Sequence, residues 1–126
     1  MQLHHIGCLT LDMNRTVAGY RALNCSEVSE EYYVESQEVK IRFLRFNDIY
    51  LELIQPLNTK SKLYRLKEKG ASFYHIAFIT DSYDRDKEEL LKRHVFVTEF
   101  SSEAFENKRC MFVFNSEKHL IELVEE

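Results

Sequence analysis

An internal echo constrains this chain more than any other feature. Residues 5–10 read HIGCLT and residues 75–80 read HIAFIT; residues 49–56 read IYLELIQP and residues 119–126 read HLIELVEE. His5 and His75 are 70 residues apart, and so are Glu52 and Glu122. Each half therefore runs from a histidine to a glutamate 47 positions later. Short apolar strands resemble one another by chance, but two matches in one register mark a duplicated supersecondary unit. At 126 residues and 44% apolar, the chain can bury one core shared by two such units.

The stretches between the anchors repeat as well. HIGCLT is followed by Asp12, an N-cap type, and then Met13, Val17, Ala18 and Tyr20 at helical spacing. HIAFIT is followed by Asp81, Ser82 and Asp84, and then a helical run containing Leu90 and Leu91. Residues 27–35 and 95–100 read as second strands, 38–46 and 109–114 as third strands, and 49–55 and 119–125 as fourth strands. Between the halves, NTKSKLYRLKEKG predicts a short helix stopped by Gly70. The expected fold is α+β: two tandem strand–helix–three-strand modules in one domain, about 1–56 and about 72–126.

Side chains alternate across a strand, so parity assigns faces. His5 shares a face with Leu3 and Gly7; Glu52 with Tyr50 and Ile54; His75 with Ala77; Glu122 with Leu120 and Val124. The opposite faces (Ile6 and Cys8; Leu51 and Leu53; Tyr74, Ile76 and Phe78; Ile121 and Leu123) are apolar and suited to packing on helices. By the same parity His4 points away from His5, and no chemistry is expected of it; His94 and His119 are expected at the surface. If the sheets curl towards each other, His5, Glu52, His75 and Glu122 line one concavity. Two buried carboxylates are costly there unless a cation compensates them. Two imidazoles and two carboxylates suit Zn, Ni, Co, Mn or Fe, and the lack of thiolates disfavours a structural zinc finger.

Net charge is −4, which gives no reason to expect nucleic acid as a partner. No apolar run approaches the ~20 residues that span a bilayer. The start, MQLHHIGCLT, has no basic region leading into an apolar stretch, so a signal peptide is not expected. Three cysteines without a CxxC spacing fit a reducing, cytoplasmic setting. The segment 60–69 carries Lys60, Lys62, Arg65, Lys67 and Lys69 against Glu68. It reads as a solvated helix face with Leu63 and Leu66 turned inward, the alternative being a cationic rim for phosphates or carboxylates.

In this order and spacing, HHIG, YLELIQP, YHIAF and LIELVEE resemble the vicinal oxygen chelate superfamily, which includes glyoxalase I, methylmalonyl-CoA epimerase, extradiol dioxygenases and bleomycin-resistance proteins. The resemblance covers nearly the whole chain. It implies a cup around one divalent metal per chain, with His5, Glu52, His75 and Glu122 as ligands. A carboxylate at Glu52 separates the pattern from the dioxygenase members, which typically have no ligand on that strand. The segment from IQP through KSKLYRLKEKG to YHIAF is most similar to the epimerases. Lys118 and His119, and Ser72, Phe73 and Tyr74, depart from the usual epimerase residues.

The resemblance further implies a metal-dependent isomerase or epimerase that removes a proton next to a carbonyl, with Glu122 or Glu52 as base. The substrate would be a small acyl-thioester. A glyoxalase I-like lyase acting on a thiol hemiacetal is the first alternative, and a non-catalytic binding protein of the same fold the second. Family members commonly pair, and unpaired strand edges at the module junction favour partners, so a homodimer is expected.

Overall fold

The computed structural model describes residues 1–126. The first half comprises β1 (Gln2–Leu9), α1 (Met13–Arg21), β2 (Glu27–Val28), β3 (Tyr32–Val34), β4 (Val39–Phe46) and β5 (Ile49–Pro56). A connecting helix α2 (Lys62–Glu68) leads to β6 (Phe73–Thr80), α3 (Tyr83–Leu91), β7 (Val95–Ser102), β8 (Lys108–Phe114) and β9 (Leu120–Glu125). Each half also has a 3₁₀ turn before its penultimate strand, at Glu35–Gln37 and at Glu103–Phe105.

All nine strands form one mixed sheet, ordered β2-β4-β5-β1-β6-β9-β8-β7 with β3 also on β4. The two first strands, β1 and β6, pair antiparallel at its centre. Each is flanked by the parallel last strand of its own half, β5 on β1 and β9 on β6. A parallel pair needs a long crossover, which the helix and the intervening strands of each module provide. The sheet curls, so that β3 of the first half meets the Glu103–Phe105 turn of the second.

The helices cover the outer face as parity predicts. Met13 and Val17 of α1 pack on Cys8, Leu44 and Leu53, with Ile6 and Leu51 at the margin. Tyr83 of α3 packs on Met111, Val113 and Leu123. Leu44, Leu53 and Leu123 are fully buried, each contributing about 1.5–3 kcal/mol of apolar burial. A third cluster fills the inside of the cup with Leu9, Val34, Val39, Ile41, Phe43 and Ile54.

The helix ends follow the sequence signals closely. Asp12 caps α1 by accepting from the Arg15 N–H at 3.1 Å. Helix α2 ends in a Schellman motif, with Gly70 N–H donating to Lys67 C=O and Ala71 N–H to Leu66 C=O, both at 3.0 Å. The motif needs a left-handed residue, and Gly70 supplies it at φ 100°. The repeat extends into side-chain pairs: the Thr10 and Thr16 hydroxyls are 2.6 Å apart, and 70 residues later the Thr80 hydroxyl donates to the Asp86 carboxylate.

Three expectations need correction. The second strand expected over 27–35 is split into β2 and β3, because the Ser29 hydroxyl accepts the Phe43 N–H at 2.8 Å in place of a backbone carbonyl. Leu66 is not turned inward; it is 41% exposed and lines an open cavity. The third correction concerns parity. The β1–β6 ladder slips between Leu3 and His5 and again between Gly7 and Cys8, so His4 and Tyr74 are each an extra residue in a bulge. Both rings therefore turn into the cup beside the histidine that follows them, instead of lying on the helix face.

Candidate metal centre

Four adjacent strands carry the four predicted residues in the spatial order Glu52 (β5), His5 (β1), His75 (β6), Glu122 (β9). Gly7 is in register with both Glu52 and His75, and Ala77 with both His5 and Glu122. Small side chains at these two places leave room for the large ones. At Gly7 the requirement is strict, since a Cβ there would lie 2.3 Å from His75 Cε1.

The four side chains converge. His5 Nε2 and His75 Nε2 are 3.0 Å apart. Glu52 Oε1 lies 3.6 Å from His5 Nε2 and 3.4 Å from His75 Nε2. On the other side, Glu122 Oε1 is 3.8 Å from His5 Nε2 and Glu122 Oε2 is 3.5 Å from His75 Nε2. Donor atoms of His5, His75 and Glu122 all fall within 4.8 Å of one another. Residue exposure is 0% for His5, 3% for Glu52, 6% for His75 and 3% for Glu122.

The electrostatics of this cluster are those of a site short of positive charge. Burial pushes the His5 ring down to about 3, against the pull of Glu52, so its imidazole is neutral at pH 7. Burial and the nearby Glu52 raise the Glu122 carboxyl well above its ordinary value. Burial acts in the same direction on Glu52, but the adjacent His5 and His75 outweigh it and hold that carboxyl below its ordinary value. Glu122 Oε1 and His75 Nδ1 are buried without any hydrogen-bond partner. The carboxylates' ion-pair partners are the two histidines alone. A divalent cation fits this donor set: it would satisfy the orphaned oxygen and remove the reason for Glu122 to hold a proton.

Aromatic rings close the space. Phe43 and Phe112 sit in register with Glu52 and Glu122. Phe105 stacks on His5 with centroids 5.6 Å apart and planes 18° apart. The enclosed volume beside Glu52, His75 and Glu122 is about 10 Å³, around one water at most. Gln37, Tyr74 and Phe112 separate it from an open cavity of about 400 Å³, whose rim includes Lys62, Arg65 and Lys69.

Parity reasoning missed His4 and Tyr74. His4 Nδ1 is 2.8 Å from His5 Nδ1, and the Tyr74 ring meets His75 edge-on at 5.2 Å. Burial, with Glu122 and Glu52 nearby, pushes the Tyr74 phenol up to about 12. The sequence did carry a signal: the ring-bearing residues His4 and Tyr74 are themselves 70 positions apart, so they belong to the repeat. His94 is half-buried, with its Nδ1 2.8 Å from the Leu90 carbonyl oxygen, and His119 is exposed; both lie away from the cluster.

Paired modules, a curled sheet and a His/Glu cluster at its centre define a class of cup-shaped folds built by duplication. The chain belongs to the glyoxalase/bleomycin resistance protein/dioxygenase superfamily, whose model matches residues 4–125. It is 27% identical over 128 residues to the uncharacterized protein YqjC of Bacillus subtilis, covering 98% of this chain and 91% of that one. Among solved structures it is similar to a hypothetical protein, BH1468, from Bacillus halodurans C-125, with a TM-score of 0.86, 22% identity and coverage of 99% and 94%. It is also similar to a variant of methylmalonyl-CoA epimerase from Streptomyces coelicolor in complex with 2-nitronate-propionyl-CoA, with a TM-score of 0.84, 28% identity and coverage of 100% and 94%. The methylmalonyl-CoA epimerase of Mycobacterium tuberculosis matches with a TM-score of 0.83, 23% identity and coverage of 98% and 87%. No helix is long and apolar enough to cross a membrane.

Proposed function

We propose that this protein is a divalent-metal-dependent epimerase that removes a proton from the carbon next to the carbonyl of an acyl-CoA, in the manner of a methylmalonyl-CoA epimerase. The observation that carries the reading is the buried carboxylate pair, Glu52 and Glu122, set against two buried imidazoles with Glu122 Oε1 lacking a hydrogen-bond partner. His5, Glu52, His75 and Glu122 would hold the ion. When bound, it supplies Lewis-acid stabilisation of the charge that develops on the substrate's carbonyl oxygen.

The chain's own residues divide the remaining work. Glu122 is the base, because burial and Glu52 make it the more basic of the two carboxylates and its Oε1 has no hydrogen-bond partner; a positioned base contributes about 10²–10⁴ in rate. Glu52, flanking the histidines from the other side and held ionised, is the second carboxylate within reach; once it has taken up a proton from solvent it is the group to return one to the opposite face. Tyr74, Phe112 and Phe105 exclude water. Substrate enters past Gln37 and Tyr74 from the larger cavity, where Lys62, Arg65 and Lys69 offer cations to the coenzyme's phosphates. Two solved structures of methylmalonyl-CoA epimerase at 28% identity are in complex with 2-nitronate-propionyl-CoA and with methylmalonyl-CoA, which supports this substrate class. The exposed Val95, Phe96 and Val97 on edge strand β7 support a homodimer, checked by sedimentation.

The deciding experiment follows α-proton exchange into deuterated solvent with metal-loaded protein, on methylmalonyl-CoA and on the methylglyoxal–glutathione adduct. Exchange on the thioester is expected. Exchange on the adduct alone would make the protein a lactoylglutathione lyase, and exchange on neither would leave a binding protein.

A further inference from the structure

We infer that His4 is a positioning residue: its Nδ1 accepts the proton of His5 Nδ1 and so presents the His5 Nε2 lone pair to a cation before any cation arrives. This rests on the metal reading above. His4 Nδ1 lies 2.8 Å from His5 Nδ1, and His5 Nε2 lies 3.0 Å from His75 Nε2. Two facing N–H groups would clash and two facing lone pairs would repel, so each close pair of nitrogens shares one proton; with the fully buried His5 carrying one proton rather than two, the three rings form a single chain with two possible settings. In one, His75 Nε2–H donates to His5 Nε2, and His5 Nδ1–H donates to His4 Nδ1. In the other, every proton is reversed and His75 carries its proton on Nδ1. That atom is buried without a partner. A buried N–H left without an acceptor is rarer than a buried acceptor left without a donor, so the first setting holds.

The His4 ring is itself fixed. It stacks on Tyr50 at 5.0 Å and 21°, and meets Phe105 at 5.6 Å. It is half-buried beside a surface hollow shared with Gln2, Asp48 and Tyr50, which leaves its Nε2–H open to solvent. The second half lacks this device, since Tyr74 stands in the equivalent place and the His75 Nδ1 has no hydrogen bond. His5 is thus the pre-set ligand, whereas His75 must move its proton from Nε2 to Nδ1 as an ion binds.

The test titrates Co²⁺ alone into chelator-stripped protein and follows visible absorption. His4→Phe keeps a ring on Tyr50 and Phe105 but removes the acceptor; His4→Asn places Oδ1 near the position of Nδ1. His4→Phe is expected to bind Co²⁺ about 10–100-fold more weakly, with His4→Asn close to the wild type. Wild-type affinity in His4→Phe would overturn the inference, as would a loss in His4→Asn as large as in His4→Phe. Nitrogen NMR of the metal-free wild type reads the same point without a variant: His5 protonated on Nδ1 and His75 on Nε2 is expected, and the reverse order overturns it. A wild type that binds no Co²⁺ would sink the metal reading and this inference together; equal binding by His4→Phe would sink this inference alone.

Discussion

In the first half, His5 is fully buried, linked through Nδ1 to His4 and roofed by Phe105; in the second, His75 packs over the bare Cα of Gly7 with Nδ1 unpartnered. The glutamates diverge in the same way. Glu52 is held below its ordinary pKa by the two histidines, while burial and Glu52 itself hold Glu122 above its own. Duplication fixed where the four side chains stand, through strand register. The residues that are not repeated set what each one is: His4 against Tyr74, Gly7 against Ala77, and Phe105 against Gln37 at the ends of the two 3₁₀ turns. One shared register thus carries a single site with unequal members.

Exchanging glutamate for glutamine in each half is the strongest way to break this comparison. Glu122→Gln, with metal bound, is expected to lose about 10²–10⁴ in α-proton exchange, and Glu52→Gln to lose less exchange but more metal affinity. Equal losses in the two variants would show that the halves work alike. Next in size is Gly7→Ala, which makes the first half copy the second. Its Cβ would press on the His75 ring, so about 1–3 kcal/mol of stability should be lost, against about 0.5–1 kcal/mol for Ala77→Gly; urea unfolding of the chelated protein gives both numbers.

The raised Glu122 carboxyl gives a pH signature. In the metal-free protein its contribution is fully present below the unfolded value of 4.5 and is lost as pH rises through the raised folded value. The stability gap between Glu122→Gln and wild type should therefore widen with pH, by at most about 1.4 kcal/mol per unit. A flat gap would mean that Glu122 titrates as an ordinary carboxylate. The smallest contrast lies at the helix starts. Asp12 caps α1 through its side chain and Ser82 makes no such bond to α3, so Asp12→Ala should cost about 1 kcal/mol and Ser82→Ala no more than about 0.5 kcal/mol. Equal costs would show that the Thr80 hydroxyl, which accepts the Ser82 N–H, does not replace the cap.

Much of the fold was legible because period and punctuation agreed: alternation in LELIQ and IELVE, Asp12 before α1, Gly70 after α2. The convergence of His5, Glu52, His75 and Glu122 was legible because a common shift implies a common register. The positions of His4 and Tyr74 were not, since parity assumes an uninterrupted ladder and each bulge inserts a residue, His4 or Tyr74, whose own type does not announce it. The split of the second strand was hidden for a related reason: a serine hydroxyl can take over a ladder bond that backbone reasoning assigns to a carbonyl. The cationic face of α2 read as ordinary solvated surface, and only the tertiary position of Leu63 and Leu66 beside Tyr74 and Phe112 turns it into the rim of a cavity.

The antiparallel seam between β1 and β6 has a further consequence. Each side of it is a complete module, and residues 57–72 are the only covalent link between the two. That connection is a tether: it sets a local concentration, of millimolar order for short linkers, at which one half meets the other. A chain nicked there would become a two-piece complex held by strand pairing and by whatever else bridges the pieces. An ion gripped by one histidine and one glutamate from each piece would be such a rivet, so the strength of metal binding and the strength of the seam would be read by the same dissociation experiment.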